Sequence, residues 1–174
     1  MKFTETPLAG AYVVELEPSD DERGFFARAF CREEFAAAGL ESHIEQINLS
    51  NNLARGTFRG LHWQEPPHTE IKFFRCVRGA TFNTIVDMRP DSNTYTEWFG
   101  VELSVENHLG LYVPGQFANG YLALTDNAEA LYTVSRGYSP GGERGLRVDD
   151  PTLGIELPIP ATTLSEKDRS WDLL

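Results

Sequence analysis

The feature that most restricts the fold is a succession of short stretches in which apolar and polar side chains alternate, separated by turns rich in Gly, Pro and Asn. The stretch 57–79, TFRGLHWQEPPHTEIKFFRCVRG, contains two of them around the turn EPPHTE. Similar segments recur roughly every eight to twelve residues along the chain. One segment, CREEFAAAGLE, has helical composition and ends at Gly39. The sequence therefore predicts an all-β chain, a sandwich or jelly-roll barrel with one or two short peripheral helices.

Composition limits the chain's size class and its partners. With 174 residues, 41% of them hydrophobic, we expect one compact domain with a real core. The formal charge of -11 disfavours a sequence-independent grip on nucleic acid or an anionic membrane. No apolar run approaches the length of a membrane span, and the N-terminus lacks the apolar core of a signal peptide. Cys31 and Cys76 have no metal-ligand spacing, so we expect reduced thiols in a soluble, cytoplasmic protein.

Alternation also assigns side chains in the two strands of the central stretch to faces. It places His62 on an inward, partly apolar face and Arg59 on the opposite face, with Gly60 between them permitting a bulge. In the second strand it places Lys72 and Phe74 together on one face. A histidine, a lysine and several arginines around one pocket suit abstraction of a proton beside a carbonyl, with cations holding the enolate. A lone strand histidine is also often purely structural, so this pattern leaves both interpretations open.

Further polar and aromatic residues have two interpretations each. Gln46, Asn48 and Ser50 share one strand face by the period of two, where amides would bind a sugar or a base, or would solvate an edge strand. Phe25 and Phe26 follow an acidic turn, and we expect both to pack in the core.

The Pro- and Gly-rich tail 139–174 repeats Leu, Ile and Val throughout its length. This pattern is typical of an ordered arm that wraps around the domain, and it contains no low-complexity segment. We therefore expect a single domain over 1–174, with extended N-terminal strands and a wrapping C-terminal arm.

Seven motifs together resemble one family, the dTDP-4-dehydrorhamnose 3,5-epimerases, which are nucleotide-sugar epimerases of the cupin-type jelly roll. The resemblance runs from end to end of the chain, and the combination is specific although each motif alone is weak. The motifs are DERGFF at 21–26, RGLHWQ at 59–64, VRGATFNTIVDMRPDS at 77–92, VPGQFANGY at 113–121, ALY at 130–132, ERGLRVDDPTLGIELP at 143–158 and LSEKD at 164–168.

The resemblance implies four catalytic residues and no metal or redox cofactor. His62 matches the family's general base, and Asp168 matches the carboxylate that orients it and raises its basicity. Lys72 matches the lysine beside the C4 keto oxygen, where a cation stabilises an enolate. Tyr132 matches the acid that returns a proton to the opposite face of the sugar ring.

The resemblance also implies a nucleotide-sugar site shared by two subunits of a homodimer. Arg23 and Phe26 match residues that reach in from the partner subunit to hold the pyrophosphate and nucleoside. The other implied contacts with the substrate are Gln46, Asn48, Arg59, Asn83, Asn119, Tyr138 and Glu143, of which Tyr138 matches an aromatic residue that stacks on the base.

Three positions depart from the family pattern. The family usually reads FAHGF where this chain reads FANGY, and usually has Asp at the position of Asn83, so a His/Asp pair is replaced by Asn119 and Asn83. Leu49 also stands where a family histidine is common. Because asparagine cannot titrate, the departures suggest inversion of one ring carbon instead of two, another nucleotide sugar, or weakened activity.

Two other functions remain open from the sequence. A metal-dependent cupin would draw ligands from His62, His68 and Glu70, but the chain has no HxH motif and Asn119 occupies the remaining histidine position, so a metal site is disfavoured. A non-catalytic sugar-nucleotide-binding cupin would have no need of the combined His62, Tyr132 and Asp168, so the sequence favours the enzyme.

Overall fold

The computed structural model describes residues 1–174 and contains thirteen strands and two short helices. In chain order they are β1 (Lys2–Glu5), β2 (Tyr12–Glu15), β3 (Ser19–Asp21), β4 (Gly24–Phe26), α1 (Arg32–Ala37), β5 (Gln46–Asn52), β6 (Phe58–Gln64), β7 (Lys72–Arg78), β8 (Ala80–Asp87), β9 (Trp98–Ser104), β10 (Gly110–Val113), β11 (Phe117–Ala123), β12 (Ala128–Val134), β13 (Glu143–Gly145) and α2 (Glu166–Arg169). No helix is long and apolar enough to cross a membrane.

The strands form two antiparallel sheets that pack face to face. The six-stranded sheet has the order β1-β2-β10-β7-β12-β5, and the five-stranded sheet has the order β13-β6-β11-β8-β9. Neighbouring strands within a sheet are mostly distant in sequence, as in a jelly roll. A separate hairpin pairs β3 with β4. The all-β sandwich with two short helices, predicted from alternation and turn spacing, is confirmed.

The core between the sheets closes one part of the sandwich and leaves another part open. Fully buried residues such as Ile85, Leu103, Leu111 and Phe117 come from both sheets and pack in one cluster. Burying a side chain of this size contributes roughly 1.5–3 kcal/mol to folding. Phe74 and Tyr132 lie at the edge of this cluster, so its packing fixes the wall of the open part.

The C-terminal arm covers the outer face of the five-stranded sheet. Leu146, Val148 and Leu153 are buried there against Phe58 and Leu61. The arm then pairs with the start of β6 through a parallel bridge between residues 57 and 163, and it ends in α2. Apolar residues of the tail are therefore part of a buried cluster on this face of the sheet.

Helix α1 covers the outer face of the six-stranded sheet. Its one buried residue, Phe35, packs edge-on against Phe73 with ring centroids 5.1 Å apart. The helix ends as the sequence predicts: Gly39 has a φ of 74°, and the Leu40 N–H donates to the Phe35 carbonyl, which is the pattern of a Schellman cap.

The packing prediction for the acidic turn was wrong. Phe25 is 51% exposed and Phe26 is 77% exposed, because the β3–β4 hairpin projects from the sandwich and belongs to neither large sheet. Phe25 contacts the His108 ring, whereas no ring of the chain packs against Phe26.

Candidate active site

The open part of the sandwich forms a cavity of about 510 Å³ between the two sheets, with a smaller cavity of about 180 Å³ beside it. Strand β6 of one sheet and strands β7 and β12 of the other provide the facing walls. Ten of the thirteen predicted site residues line one or both cavities: Gln46, Asn48, Arg59, His62, Lys72, Asn119, Tyr132, Tyr138, Glu143 and Asp168.

A bulge at Gly60 turns Arg59 and His62 towards the same cavity. Along the neighbouring strand β11, Asn119 pairs with His62 but Tyr121 pairs with Arg59, so β6 carries one additional residue between them. Gly60 has a φ of 114°, and a Cβ there would lie 2.6 Å from the Asn119 carbonyl oxygen. The prediction that Arg59 faces away from His62 was therefore wrong, because the bulge shifts the alternation by one residue.

His62 and Asp168 form a tight pair although they are 106 positions apart in the sequence. The His62 Nε2 lies 2.6 Å from Asp168 Oδ1, and the Asp168 side chain is 5% exposed. The Gly60 N–H approaches the other carboxylate oxygen at 3.4 Å. Burial alone would raise the pKa of Asp168, but the hydrogen bond and charge of His62, together with hydrogen bonds from the Gly60 N–H and Ser165, outweigh burial and lower the pKa below its ordinary value. A carboxylate on Nε2 leaves Nδ1 as the basic nitrogen of the neutral ring.

The geometry of Asp168 depends on the first turn of α2. The Asp168 N–H donates to the Ser165 hydroxyl at 3.0 Å, which makes Ser165 the N-cap of this short helix. The C-terminal arm attaches to β6 next to this helix, and so it holds the Asp168 carboxylate against His62.

Lys72 reaches the cavity from the opposite sheet and has two partners. Its Nζ lies 2.8 Å from Glu70 Oε1 and 3.4 Å from Asn119 Oδ1. The Asn119 amide also donates to the His62 carbonyl at 2.8 Å. The ammonium group is thus held between a carboxylate on one side and an amide on the other.

Tyr132 lies on β12, in the sheet opposite to the one that carries His62. Its ring stacks on Phe74 with centroids 4.9 Å apart. Burial raises the pKa of its phenol, with further contributions from Tyr121 and Glu70. The hydroxyl is therefore protonated at neutral pH and is available as a proton donor.

The smaller cavity is lined by amides and by an aromatic ring. Gln46 and Asn48 line it from β5, as alternation predicts, and Tyr138, which is 63% exposed, borders it. Burial would raise the pKa of Glu143, but the hydrogen bond from Lys167 and the nearby His62 lower it overall. Polar groups around an open, flat aromatic ring suit a nucleotide base.

Three predicted site residues do not line a cavity of their own chain. Arg23 forms an ion pair with Asp21 on the exposed hairpin, and Phe26 lies beside it. Asn83 is 2% exposed and accepts a hydrogen bond from the Thr81 hydroxyl at 2.8 Å. The two asparagines of the departing pair make no hydrogen bond with each other: the Asn119 side chain bonds to the His62 carbonyl and to Lys72, and the Asn83 side chain bonds to Thr81.

Several residues at the site had no recognised role in the sequence. Glu70 and Gln64 meet at the smaller cavity. Tyr121 lines the larger cavity, where its hydroxyl contacts that of Ser50, which alternation had placed on the same strand face as Gln46 and Asn48. Tyr121 was visible as the last residue of FANGY, where the family has phenylalanine. Glu70 was considered only as a metal ligand, and no group of three His, Cys, Asp or Glu side chains converges in the structure.

The arrangement is suited to proton transfer at a carbon atom. An imidazole with a free nitrogen and a phenol line one cavity from opposite sheets, and an ammonium group lines it as well. A substrate held there can lose a proton to one wall and receive another from the opposite wall, while the cation holds negative charge on a carbonyl oxygen.

Comparison with known proteins identifies close relatives. Residues 5–174 match the family model described as dTDP-4-dehydrorhamnose 3,5-epimerase. The enzyme of that name from Methanothermobacter thermautotrophicus is 41% identical over 98% of this chain and 92% of its own length.

Solved structures of proteins with related names are also similar to this chain. A dTDP-4-dehydrorhamnose 3,5-epimerase from Bacillus anthracis, with TDP and PPi bound, superposes with a TM-score of 0.96 at 35% identity, covering 99% of each chain. ChmJ, a 3'-monoepimerase from Streptomyces bikiniensis in complex with dTDP-quinovose, superposes with a TM-score of 0.90 at 32% identity, covering 97% of this chain and 85% of ChmJ.

Proposed function

The chain belongs to the dTDP-4-dehydrorhamnose 3,5-epimerase family, and from this premise we propose that it inverts C3, C5 or both in a dTDP-activated 4-keto-6-deoxyhexose. The observation that carries the proposal is the His62–Asp168 pair facing Tyr132 across one cavity. Such an isomerase serves the synthesis of deoxysugars. Removal and return of a proton next to an existing ketone involve no oxidation or reduction, so the proposed route has no redox step.

The first step is removal of a proton from a ring carbon next to the C4 ketone. His62 Nδ1 takes the proton while Asp168 holds Nε2–H and stabilises the imidazolium that forms. The electron pair of the broken C–H bond moves to the C4 oxygen, and the resulting enolate is stabilised by the Lys72 ammonium.

The second step returns a proton to the other face of the same carbon. Tyr132 donates its hydroxyl proton and the enolate collapses to the ketone. Solvent then takes the extra proton from the His62 imidazolium and returns a proton to the Tyr132 phenolate. A single base would return the proton to the face it came from, so inversion requires a base on one wall and a proton donor on the opposite wall. The positions of His62 and Tyr132 on different sheets support this requirement.

The surrounding polar groups are proposed to bind the rest of the substrate. We propose that Gln46, Asn48, Tyr138 and Glu143 bind the nucleotide around the smaller cavity, and that Arg59 binds the pyrophosphate. Arg59 is held by Asn52, whose amide oxygen accepts from its Nε at 2.7 Å, so its guanidinium is oriented before the substrate arrives.

The proposed enzyme is a homodimer in which Arg23 and Phe26 complete the partner's site. Phe26 and the outward residues of the edge strand β5, Ile47 and Leu49, are each more than 60% exposed, which favours burial against a second copy. Sedimentation at micromolar concentration tests this proposal. A fully active monomer would rule it out, and Phe26→Ala is expected to weaken dTDP binding about tenfold.

Two further expectations, about domain organisation and cellular compartment, remain part of the proposal. We treat 1–174 as one domain, because the arm contributes both core residues and Asp168. We also place the enzyme in a reducing compartment such as the cytoplasm, which the unpaired thiols of Cys31 and Cys76 favour.

The asparagines lead to a narrower proposal about which carbon reacts. Asn83 and Asn119 replace a titratable pair with neutral amides. Because C3 and C5 flank C4 on opposite sides, one altered pair cannot affect both equally, and we propose unequal proton transfer at the two carbons. The double substitution Asn83→Asp with Asn119→His is expected to raise exchange at the slower carbon. Equal, fast labelling of both carbons in the wild type would refute this proposal.

Deuterium uptake tests the function as a whole. The protein is incubated with dTDP-4-keto-6-deoxyglucose in deuterium oxide, and the mass of the sugar nucleotide is measured by mass spectrometry. We expect a gain of one or two deuterons. If calorimetry shows dTDP binding but no deuterium is taken up, the result would contradict the proposed epimerase activity and would indicate a non-catalytic sugar-nucleotide-binding protein.

A further inference from the structure

An ion pair in the cavity is formed by a residue outside the proposed catalytic set. Glu70 Oε1 lies 2.8 Å from Lys72 Nζ, and the two side chains are 11% and 12% exposed. A pair this sheltered from solvent is screened far less than a surface pair, so its geometry constrains the lysine more strongly.

The carboxylate of Glu70 is itself fixed through its second oxygen. Gln64 Nε2 donates to Glu70 Oε2 at 3.0 Å, while Gln64 Oε1 accepts from the Ser139 N–H at 2.7 Å. Gln64 is 2% exposed and lies at the end of β6, two residues beyond His62. The position of Glu70 is therefore set by the wall that carries the base and by the loop that carries Tyr138.

The partners of Lys72 leave it one direction for a substrate. An ammonium group has three N–H donors, of which one points to Glu70 and a second to Asn119 Oδ1 at 3.4 Å. The remaining donor is available to a carbonyl oxygen in the cavity. Without the carboxylate, the flexible four-carbon stem would be held only by the long contact with Asn119.

We propose that Glu70 is a positioning residue that aims the Lys72 ammonium at the C4 oxygen of the substrate. The proposal rests on the function described above, because it assigns Lys72 to the enolate. Glu70 does not take part in proton transfer and acts through the lysine. Its charge also contributes, after burial and Tyr121, to the raised pKa of the Tyr132 phenol, which keeps the acid protonated.

Glu70→Gln tests the proposal, because it keeps the shape and an acceptor for Gln64 but removes the charge. We expect kcat to fall about 10- to 100-fold through misplacement of the lysine. KM and the affinity for dTDP should change less than about twofold, since Glu70 holds no part of the nucleotide in this account. The alkaline limb of the pH–rate profile should move to lower pH as Tyr132 loses a neighbouring charge.

Glu65→Gln is the matched control. Glu65 lies on the same turn and pairs with Arg144, but both side chains are about half exposed. We expect unchanged kcat, KM and pH profile. A loss equal to that of Glu70→Gln would attribute the effect to the turn and overturn the assignment to the buried pair.

A double-mutant cycle shows whether Glu70 acts through Lys72. In a Lys72→Gln background, adding Glu70→Gln should cause no further loss of deuterium exchange. Losses that multiply would overturn the proposal, as would a Glu70→Gln variant that loses dTDP affinity and thermal stability in proportion to its activity. Should Glu70→Gln not fold, Glu70→Asp keeps the charge and is expected to retain more activity than Glu70→Ala.

A readout that needs no turnover separates this inference from the proposed function. An amine-selective reagent followed by peptide mass spectrometry measures how accessible each lysine is. Lys72 should react several-fold faster in Glu70→Gln than in the wild type, while the exposed Lys2 reacts equally in both. Equal reactivity of Lys72 in the wild type and in Glu70→Gln would contradict the positioning role of Glu70. A wild type without deuterium exchange would contradict only the proposed reaction.

Discussion

The His62–Asp168 pair and the Lys72–Glu70 pair face the same cavity but are assembled in different ways. The first joins residues 106 positions apart and depends on the docking of the C-terminal arm. The second joins residues two positions apart, at the start of one strand. A long-range pair is sensitive to anything that displaces the arm, whereas a local pair is sensitive chiefly to changes at the pair itself. Substitutions can therefore separate the removal of the proton from the stabilisation of the enolate.

The largest expected effect comes from breaking the long-range pair at its base. His62→Asn should lower kcat roughly 10²- to 10⁴-fold, the contribution typical of a general base, because a neutral amide cannot take up the proton. Calorimetry should find dTDP affinity unchanged, since the imidazole does not bind the nucleotide. Activity within tenfold of the wild type would show that the base is elsewhere.

Tyr132→Phe should remove inversion while leaving the first proton transfer in place. We expect the rate of inversion to fall about 10²-fold. Deuterium should still enter the substrate, returned by His62 to the face from which the proton left. Chromatography of the sugar products against the uptake of label measures both quantities. Parallel loss of label and inversion would assign Tyr132 to the deprotonation step.

Asp168→Asn tests the orienting carboxylate and has an expected pH signature. A partner of this kind is worth about 10- to 100-fold in activity. Because its folded-state pKa is lowered, ionised Asp168 adds to the unfolding free energy above its ordinary pKa of about 3.9, and this contribution disappears as pH falls through the lowered value. Urea unfolding should therefore show the gap between wild type and variant full near about pH 6 and closing below about pH 4. A gap that widens in acid would contradict this sign.

Ser165→Ala should give the smallest effect, and it tests whether the arm sets the long-range pair. Loss of an N-cap costs about 1 kcal/mol of stability. Because the lost bond holds the Asp168 backbone N–H, kcat should fall a few-fold as well. Ser170→Ala, at the other end of α2, is the matched control and should leave kcat unchanged. If both substitutions lowered kcat equally, the N-cap would not be what positions the His62–Asp168 pair.

Local periodicity was sufficient to predict the side-chain directions in the regular strands. Alternation placed Lys72 with Phe74 and Gln46 with Asn48 correctly, because regular strands keep the period of two. It failed for Arg59, where the bulge at Gly60 shifts the phase.

Long-range features could not be derived from periodicity. Asp168 was found only through the family resemblance, since no local pattern indicates which strand the arm will reach. Glu70 was overlooked as a partner of Lys72 because it lies in a turn, where periodicity does not specify direction. Exposure of Phe25 and Phe26 depends on the projecting hairpin, which an apolar pair alone does not reveal.

Position-resolved deuterium labelling by NMR tests the central claim most directly, because it observes the carbon atoms that the paired side chains are proposed to deprotonate. The wild type is incubated with dTDP-4-keto-6-deoxyglucose in deuterium oxide, and each ring proton is followed over time. The account predicts loss of the C3 signal, the C5 signal or both, with C1 and C2 untouched and the loss abolished in His62→Asn. Retention of both the C3 and C5 signals in the wild type, or loss that persists in His62→Asn, would contradict it.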